Sequence, residues 1–383
     1  MKKILIITPY CPFPPHKSGG THALLNILKQ NDFRNEIDLL YYDKKDKIAE
    51  VEVKKYVSNV YYTDLRKENK LLNRVFSIIN LKPYGTFQYK KDIEINKKYD
   101  KIIFDQALSM ELVDQIDAKE KVLFSYDSMI MYFRKKSQQN KRLYAKAYNT
   151  LQSNFYIRIQ KNMINKFEDV FYVSEIDKTY EQKLFKHVNK DKFKNINLGV
   201  DKDKFSVNSY SQNKEKNIVF TGIMSYQPNK DAMVYFVKNI FRKLRELHPG
   251  VKLYIVGKEP DKEIWNMKSE DIIVTGFVDD IVEYIAKATI YISPLRFGTG
   301  MKNKVLEAMS TSKCIVASPT SVEGINELKH GRNIYIANND KEWIEYIGIL
   351  LEDDIKRASF GNECRTIIEE KYNWKSGFEE IFS

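Results

Sequence analysis

Cysteine, histidine and long apolar runs are all scarce in this chain, and each scarcity removes a class of protein. Three cysteines, Cys11, Cys314 and Cys364, are scattered over 383 residues. They form neither a disulfide framework nor a zinc spacing, and they suit a reducing compartment. The five histidines lack metal-ligand spacing, so no metal site is expected. No apolar segment nears the roughly 20 residues that span a bilayer. The segment Met1 to Thr8 carries only a short apolar run before a proline-rich stretch, and it reads as a first β-strand rather than a secretory leader. The usual phosphate loops are missing too. The loop from Pro9 to Gly20 ends in Ser18-Gly19-Gly20. It has neither the Gly-Lys-Ser/Thr ending of a P-loop nor the third glycine of a dinucleotide fingerprint.

What remains is a globular composition, 43% hydrophobic and 30% charged, in a chain long enough for two domains. Strand-like runs alternate twice with helical patterns. In the first half the runs are Lys2–Thr8, Ile37–Tyr42, Val60–Thr63, Lys101–Phe104, Val122–Ser125 and Val170–Val173. In the second they are Ile218–Thr221, Lys252–Val256, Ile272–Thr275, Thr289–Ser293, Cys314–Ala317 and Ile334–Ile336. Residues 232–247 put Phe236, Ile240, Leu244 and Leu247 on one helical face and stop at His-Pro-Gly250. Such alternation predicts α/β architecture with two doubly wound, mainly parallel sheets. The expected domains are 1–200 and 217–368, joined by a polar linker over 201–216, with a terminal helix over 369–383 crossing back to the first domain. Ligands of such sheets sit at the carboxyl ends of the strands, so two domains facing a cleft would place the site there.

The net charge of +12 is unevenly spread. From Phe133 to Phe167 there are nine basic residues and no acidic one, with Phe133, Tyr144, Tyr148, Phe155 and Tyr156 interleaved. This helical stretch suits an anionic membrane surface, an RNA-contacting face or a plain solvated surface.

The most informative segment is Ser293-Pro-Leu-Arg-Phe-Gly-Thr-Gly-Met-Lys-Asn-Lys-Val-Leu-Glu-Ala-Met309. A buried strand breaks into a loop with glycines at 298 and 300 and bases at 296, 302 and 304, then opens a helix that carries Glu307. Glycines let the backbone approach an anion, a helix N-terminus points N–H groups at it, and Lys or Arg neutralises its charge. The combination suits a diphosphate. Glu307 is placed to accept hydrogen bonds from sugar or ribose hydroxyls. Further glycines end other strands. They are Gly222 in Phe-Thr-Gly, Gly257 in Val-Gly-Lys, and the one in Thr-Gly-Phe-Val (275–278). Gly19 and Gly20 allow a phosphate or sugar near the first helix, or form a simple turn and cap.

The ordered motifs Phe-Thr-Gly (220–222), Pro-Asn-Lys-Asp-Ala (228–232), Leu-Tyr-Ile-Val-Gly (253–257), Thr-Gly-Phe-Val (275–278), Gly-Thr-Gly-Met-Lys-Asn-Lys-Val-Leu-Glu-Ala-Met (298–309) and Val-Glu-Gly-Ile (322–325) resemble the retaining glycosyltransferases of the GT-B fold, family GT4. The resemblance covers nearly all the second domain and is looser in the first. It implies two Rossmann-like domains and metal-independent transfer of a sugar from a nucleotide-diphosphate donor, with no bound cofactor. It makes Glu307 the second acid of the Glu-x7-Glu motif, whose first acid is replaced by Thr299. The family's Arg–Lys pair after the first strand is also replaced, at Ile223, so Arg296 and Lys302 are the candidates for the diphosphate. Gly300 and Met301 complete the donor loop. Asp105 falls where many relatives carry a histidine near the reacting sugar, and Asp127 ends a second strand. Each would meet sugar hydroxyls or receive the acceptor's proton, or would be a helix cap or solvent-facing acid. Asp201-Lys-Asp203 looks like a metal-binding Asp-x-Asp, but lies in the expected linker and is set aside.

The expected activity is thus that of a cytoplasmic glycosyltransferase, peripheral at the inner face of the membrane, acting on a glycan or lipid-linked acceptor in surface polysaccharide synthesis. An epimerase on the same fold, or a basic membrane- or nucleic-acid-binding protein, are the competing readings.

Overall fold

A computed structural model describes the chain except residues 14–18, 32–33, 43–46, 63–69, 80, 84–94, 96, 140–141, 203, 207–215 and 299. Most of the expected linker, including Asp203, therefore lies outside the described residues. So does Thr299. The chain divides into two compact units, Met1–Leu198 with Trp374–Ser383, and Gly199–Asn373.

The first unit holds a seven-stranded sheet in the order β3-β2-β1-β4-β5-β6-β7. Its strands are β1 Lys3–Thr8, β2 Glu36–Tyr41, β3 Asn59–Tyr62, β4 Tyr99–Asp105, β5 Ala118–Tyr126, β6 Asp169–Tyr172 and β7 Phe193–Asn195. Every pairing is parallel. Ile4 to Ile7 are fully buried, as expected of a strand covered on both faces. β7 is the strand the periodicity misses. It is three residues long and polar at two of them, too short for an alternating pattern to register. The last helix, Trp374–Phe382, belongs to this unit. Trp374 meets the His22 ring edge-on at 6.2 Å, and Lys101 donates from Nζ to Ile381 O at 3.1 Å.

The second unit is a six-stranded parallel sheet in the order β10-β9-β8-β11-β12-β13. Its strands are β8 Asn217–Thr221, β9 Lys252–Val256, β10 Ile272–Gly276, β11 Ile290–Ser293, β12 Ile315–Ala317 and β13 Tyr335–Ile336. Side chains of successive residues go to opposite faces. Ile218, Phe220, Ile290, Ile292 and Val316 build one core, and Val219, Tyr291, Ile315 and Ala317 the other. The helical run expected over 232–247 starts at Gln227, passes through one π-helical stretch at Val237–Phe241 and ends at Leu247.

Both sheets reverse direction of winding beside their first strand, between β1 and β4 and between β8 and β11. These are the switch points where doubly wound sheets open a crevice at their carboxyl ends.

Candidate active site

At the switch point of the second unit the strand exits are stitched backbone to backbone. Gly222 N–H donates to Val256 O at 3.0 Å, Met224 N–H to Lys258 O at 2.9 Å, and Gly257 N–H to Gly276 O at 3.2 Å. Gly257 is at φ 142°, and a Cβ there would stand 1.9 Å from Gly222 O. No side chain fits that position. Tyr291 on β11 and Thr221 on β8 join hydroxyls at 2.7 Å across the switch point.

The exit of β11 is locked by buried hydroxyls. Ser321 donates from Oγ to Ser293 O at 2.6 Å and accepts from Leu295 N–H at 3.3 Å, while Ser318 Oγ donates to Leu295 O at 2.5 Å. The loop then turns at Gly300, φ 72°. Lys302 is buried, with its ammonium donating to Gly300 O. It occupies the N-cap of the helix Asn303–Ser310, which has no side-chain cap hydrogen bond and no acidic residue in its first turn. That helix end is electrically ready for an anion.

Arg296 turns elsewhere. Its Nε and Nη2 meet the two oxygens of Asp231 at 2.8 and 2.5 Å, and its guanidinium lies 4.9 Å from the centre of the Tyr235 ring. The helix starting at Gln227 thus braces this arginine.

The cation that stands at the switch point is Lys304. Its Nζ donates to Asn229 Oδ1 at 2.6 Å and sits 4.2 Å above the Phe220 ring. Asn229 donates in turn to Ile223 O at 2.9 Å. A Cβ on Gly222 would come within 2.8 Å of that ammonium, so the glycine leaves room for it. Burial pushes Lys304 down to about 7, and Glu307, three residues on, is pushed up by burial against the opposing pull of Lys304 and Lys204. An acid and a base one helical turn apart, both desolvated, are what a site awaiting a polar ligand presents. Met301 packs against the adjoining core. Asn229 and Lys204 escape a reading of pattern alone, and Lys304, though counted among the loop's bases, is not singled out by it. For Lys304 the signal was present, since it shares the helix face of Glu307.

In the first unit Asp105 ends β4 fully buried. It accepts from Thr8 Oγ1 at 2.7 Å, across the β1/β4 switch point, from Tyr126 OH at 2.7 Å, and from Gln106 Nε2 at 3.4 Å. Burial pushes its carboxyl up to about 6 against these three donors. The Tyr126 hydroxyl also stands 3.1 Å from Gly20 O, at the first turn of the helix Gly19–Leu28. Gln106 and Tyr126 both hold left-handed backbone, φ 66° and 63°, strain of a kind that persists where surrounding contacts enforce it. Asp127 follows Tyr126, half-buried, its N–H donating to Ser125 O at 2.9 Å. Gly19, Gly20, Asp105 and the strand end bearing Asp127 therefore converge in one unit. Gly222, Gly257, Gly300, Lys302 and Glu307 frame the other switch point.

Residues 215–353 match the family described as Glycosyl transferases group 1. The matched residues fall within the second unit. The chain is also 32% identical over 159 residues to an uncharacterized glycosyltransferase of Methanocaldococcus jannaschii, a match covering 38% of this chain and 40% of that protein. Over its whole length it is 20% identical to a 44.6 kDa protein of the cps region of Klebsiella pneumoniae, covering 99% of that protein. Among solved structures, Anabaena HepE in complex with UDP superposes with a TM-score of 0.69 at 15% identity, over 99% of this chain and 98% of that one. TarM gives 0.69 at 14% identity, over 100% and 98%. The fold of the chain is GT-B, as its motifs imply.

Proposed function

We propose that the chain is a GT4-type, retaining and metal-independent glycosyltransferase. It moves a hexose from a nucleotide-diphosphate sugar to a glycan or lipid-linked saccharide during synthesis of a surface polysaccharide or glycoconjugate. The observation that carries the reading is the seat of Lys304, an ammonium held beside Gly222 at the switch point, one helical turn before Glu307. It supplies the charge that the loop after β8 lacks at Ile223.

In this reading the bond between the anomeric carbon and the diphosphate oxygen breaks, and its electron pair leaves with the diphosphate. Lys304, Lys302 and the N–H groups opening the helix Asn303–Ser310 stabilise that developing charge, which lowers the barrier because they are fixed before the reaction starts. Arg296, matched by Asp231, holds the loop to its neighbouring helix. Glu307 accepts from a ribose hydroxyl, and Gly222, Gly257, Gly300 and Met301 shape the donor seat, with Thr299 in place of the missing acid. An acceptor hydroxyl bonds the anomeric carbon on the face the diphosphate leaves, and its proton passes to the departing diphosphate oxygen; Asp127, at the end of β5, is the first unit's candidate to meet acceptor hydroxyls. Asp105, enclosed by its three donors, positions Gln106, Tyr126 and the Gly19–Gly20 turn. The acceptor class follows the cps-region relative, and the donor class follows the UDP held by HepE. The place of work is the cytoplasm.

Calorimetry against a panel of UDP-, GDP-, dTDP- and ADP-sugars tests the donor, and proton NMR of the product reads the anomeric configuration. Failure of every nucleotide diphosphate to bind would remove the proposal. An inverted product would remove its stereochemistry.

A further inference from the structure

One surface of the first unit combines features that solvent alone does not call for. The helix Lys70–Ile79 packs on the helix Leu143–Met163, with buried Gln152 donating from Nε2 to Ser77 Oγ at 3.0 Å. Away from that seam, Val75, Ile78 and Ile79 are exposed, Ile79 by 68%. On the neighbouring helix Tyr144, Tyr148 and Leu151 recur at helical spacing along one face, and Leu143 and Tyr144 are 83% and 69% exposed at its start. Cations are tied into this apolar ground. Arg74 stacks over the Tyr148 ring at 5.7 Å, and Arg142 donates to Tyr144 OH at 3.0 Å. Neither helix contains an acidic residue, nor does the helix Met129–Gln139, which is joined to the longer one by Ser137 Oγ and Thr150 Oγ1 at 2.8 Å.

The end of the first helix adds a strained residue. Lys82 N–H donates to Ser77 O at 3.0 Å, and Leu81 N–H to Ile78 O at 3.2 Å. This turn places Leu81 at φ 52°, where glycine is the favoured residue. A leucine kept there, 47% exposed, extends the apolar ground beyond the helix. Exposed apolar area rimmed by charge marks a docking surface.

We propose that this face, formed by Val75, Ile78, Ile79, Leu81, Tyr144 and Leu151 with Arg74 and Arg142, lies on an anionic lipid bilayer. Charge decides the occupant. A second copy of the chain would bring cations against cations, whereas anionic headgroups complement them while aliphatic and aromatic side chains enter the acyl boundary. Among the described residues no helix is long and apolar enough to cross a membrane, so the contact is interfacial. The sequence offers the basic stretch 133–167 to a membrane, to RNA or to solvent. The fold sets beside that stretch a second apolar contribution, from Val75, Ile78, Ile79 and Leu81. The proposal does not depend on the nucleotide reading.

The test is co-flotation of the full chain with vesicles of equal phosphatidylglycerol and phosphatidylcholine, compared with phosphatidylcholine alone. Binding to the anionic vesicles should fall at least tenfold between 50 and 500 mM salt, roughly as a few basic contacts dictate. Ile78→Glu with Ile79→Glu should cut it at least tenfold, as should Arg74→Glu with Arg142→Glu. Circular dichroism and thermal melting of both variants should match the parent, which shows the fold intact. Three results would each overturn the proposal: no binding to anionic vesicles, binding indifferent to both pairs of substitutions, or binding of RNA alone. A concentration-dependent dimer, dispersed by the same substitutions in a chain that ignores vesicles, would overturn it as well.

Discussion

Lys304 Nζ and Asn229 Oδ1 meet at 2.6 Å, and the pair crosses from the helix after β11 to the helix after β8. Asn229 also holds the backbone at Ile223. The contact therefore fixes an ammonium above a strand exit whose own loop carries no base.

Lys304→Met removes that ammonium with little change in volume. Losing one preorganised donor to a developing oxyanion costs ~3 kcal/mol, on the order of a hundredfold in turnover. The same is expected of Lys302→Ala. Steady-state transfer assays with the best nucleotide sugar measure both. Turnover within threefold of the parent, in a protein with unchanged circular dichroism, would exclude the assigned role.

Binding should also take up a proton. The unliganded Lys304 ammonium is held at about 7 by burial, and a diphosphate favours its charged form. Above that pH the free site is largely neutral, so affinity should fall as pH rises from 7 towards 9, and should level off below 7. Calorimetry in two buffers of unlike ionisation enthalpy at pH 8 reads the uptake directly, and Lys304→Met should abolish it. Equal heats in both buffers for the parent protein would sink the idea.

Gly257→Ala tests the stitched strand ends. The new methyl would meet the Gly222 carbonyl oxygen at 1.9 Å, a collision with backbone that no rotamer relieves. The expected loss is about 3 kcal/mol or more. Gly250→Ala is the control. It shares a left-handed backbone, φ 84°, with nothing within 4 Å of the added carbon, and should cost only about 1 kcal/mol. Thermal melts of the two variants should separate clearly; coincident melts would refute the packing described.

A buried acid away from the switch points gives a pH signature. Glu181 on the helix Glu175–Leu184 accepts from Tyr172 OH, and burial raises its pKa from 4.5 to about 7. Because the folded value is the higher, its contribution favours folding below pH 4.5 and is lost as pH rises through 7. Glu181→Gln keeps the acceptor and drops the charge. The variant should gain stability relative to the parent between pH 4.5 and 8, by up to about 3 kcal/mol. Melting curves of both proteins across that range measure it. A constant difference would show that Glu181 does not titrate there.

Twelve of the strands were legible from apolar runs, because parallel strands covered on both faces leave continuous Val, Ile and Leu signals. The segment 293–309 was legible as a phosphate-suited loop, because glycine, base and acid fall within one strand–loop–helix unit. Spacing along the chain determined that much. It did not determine which base faces the strand ends. Arg296 and Lys302 looked equivalent to Lys304 in one dimension, yet Asp231, distant in sequence, claims Arg296, while Gly222 and Asn229 make a seat for Lys304. The same holds for Asp105, a bare acid at a strand end until Thr8, Gln106 and Tyr126 close around it. Periodicity records which way a side chain points from its own element. Pairing of charges, burial of an acid and room for an ammonium depend on neighbours brought in by the sheet order, and so belong to the tertiary structure alone.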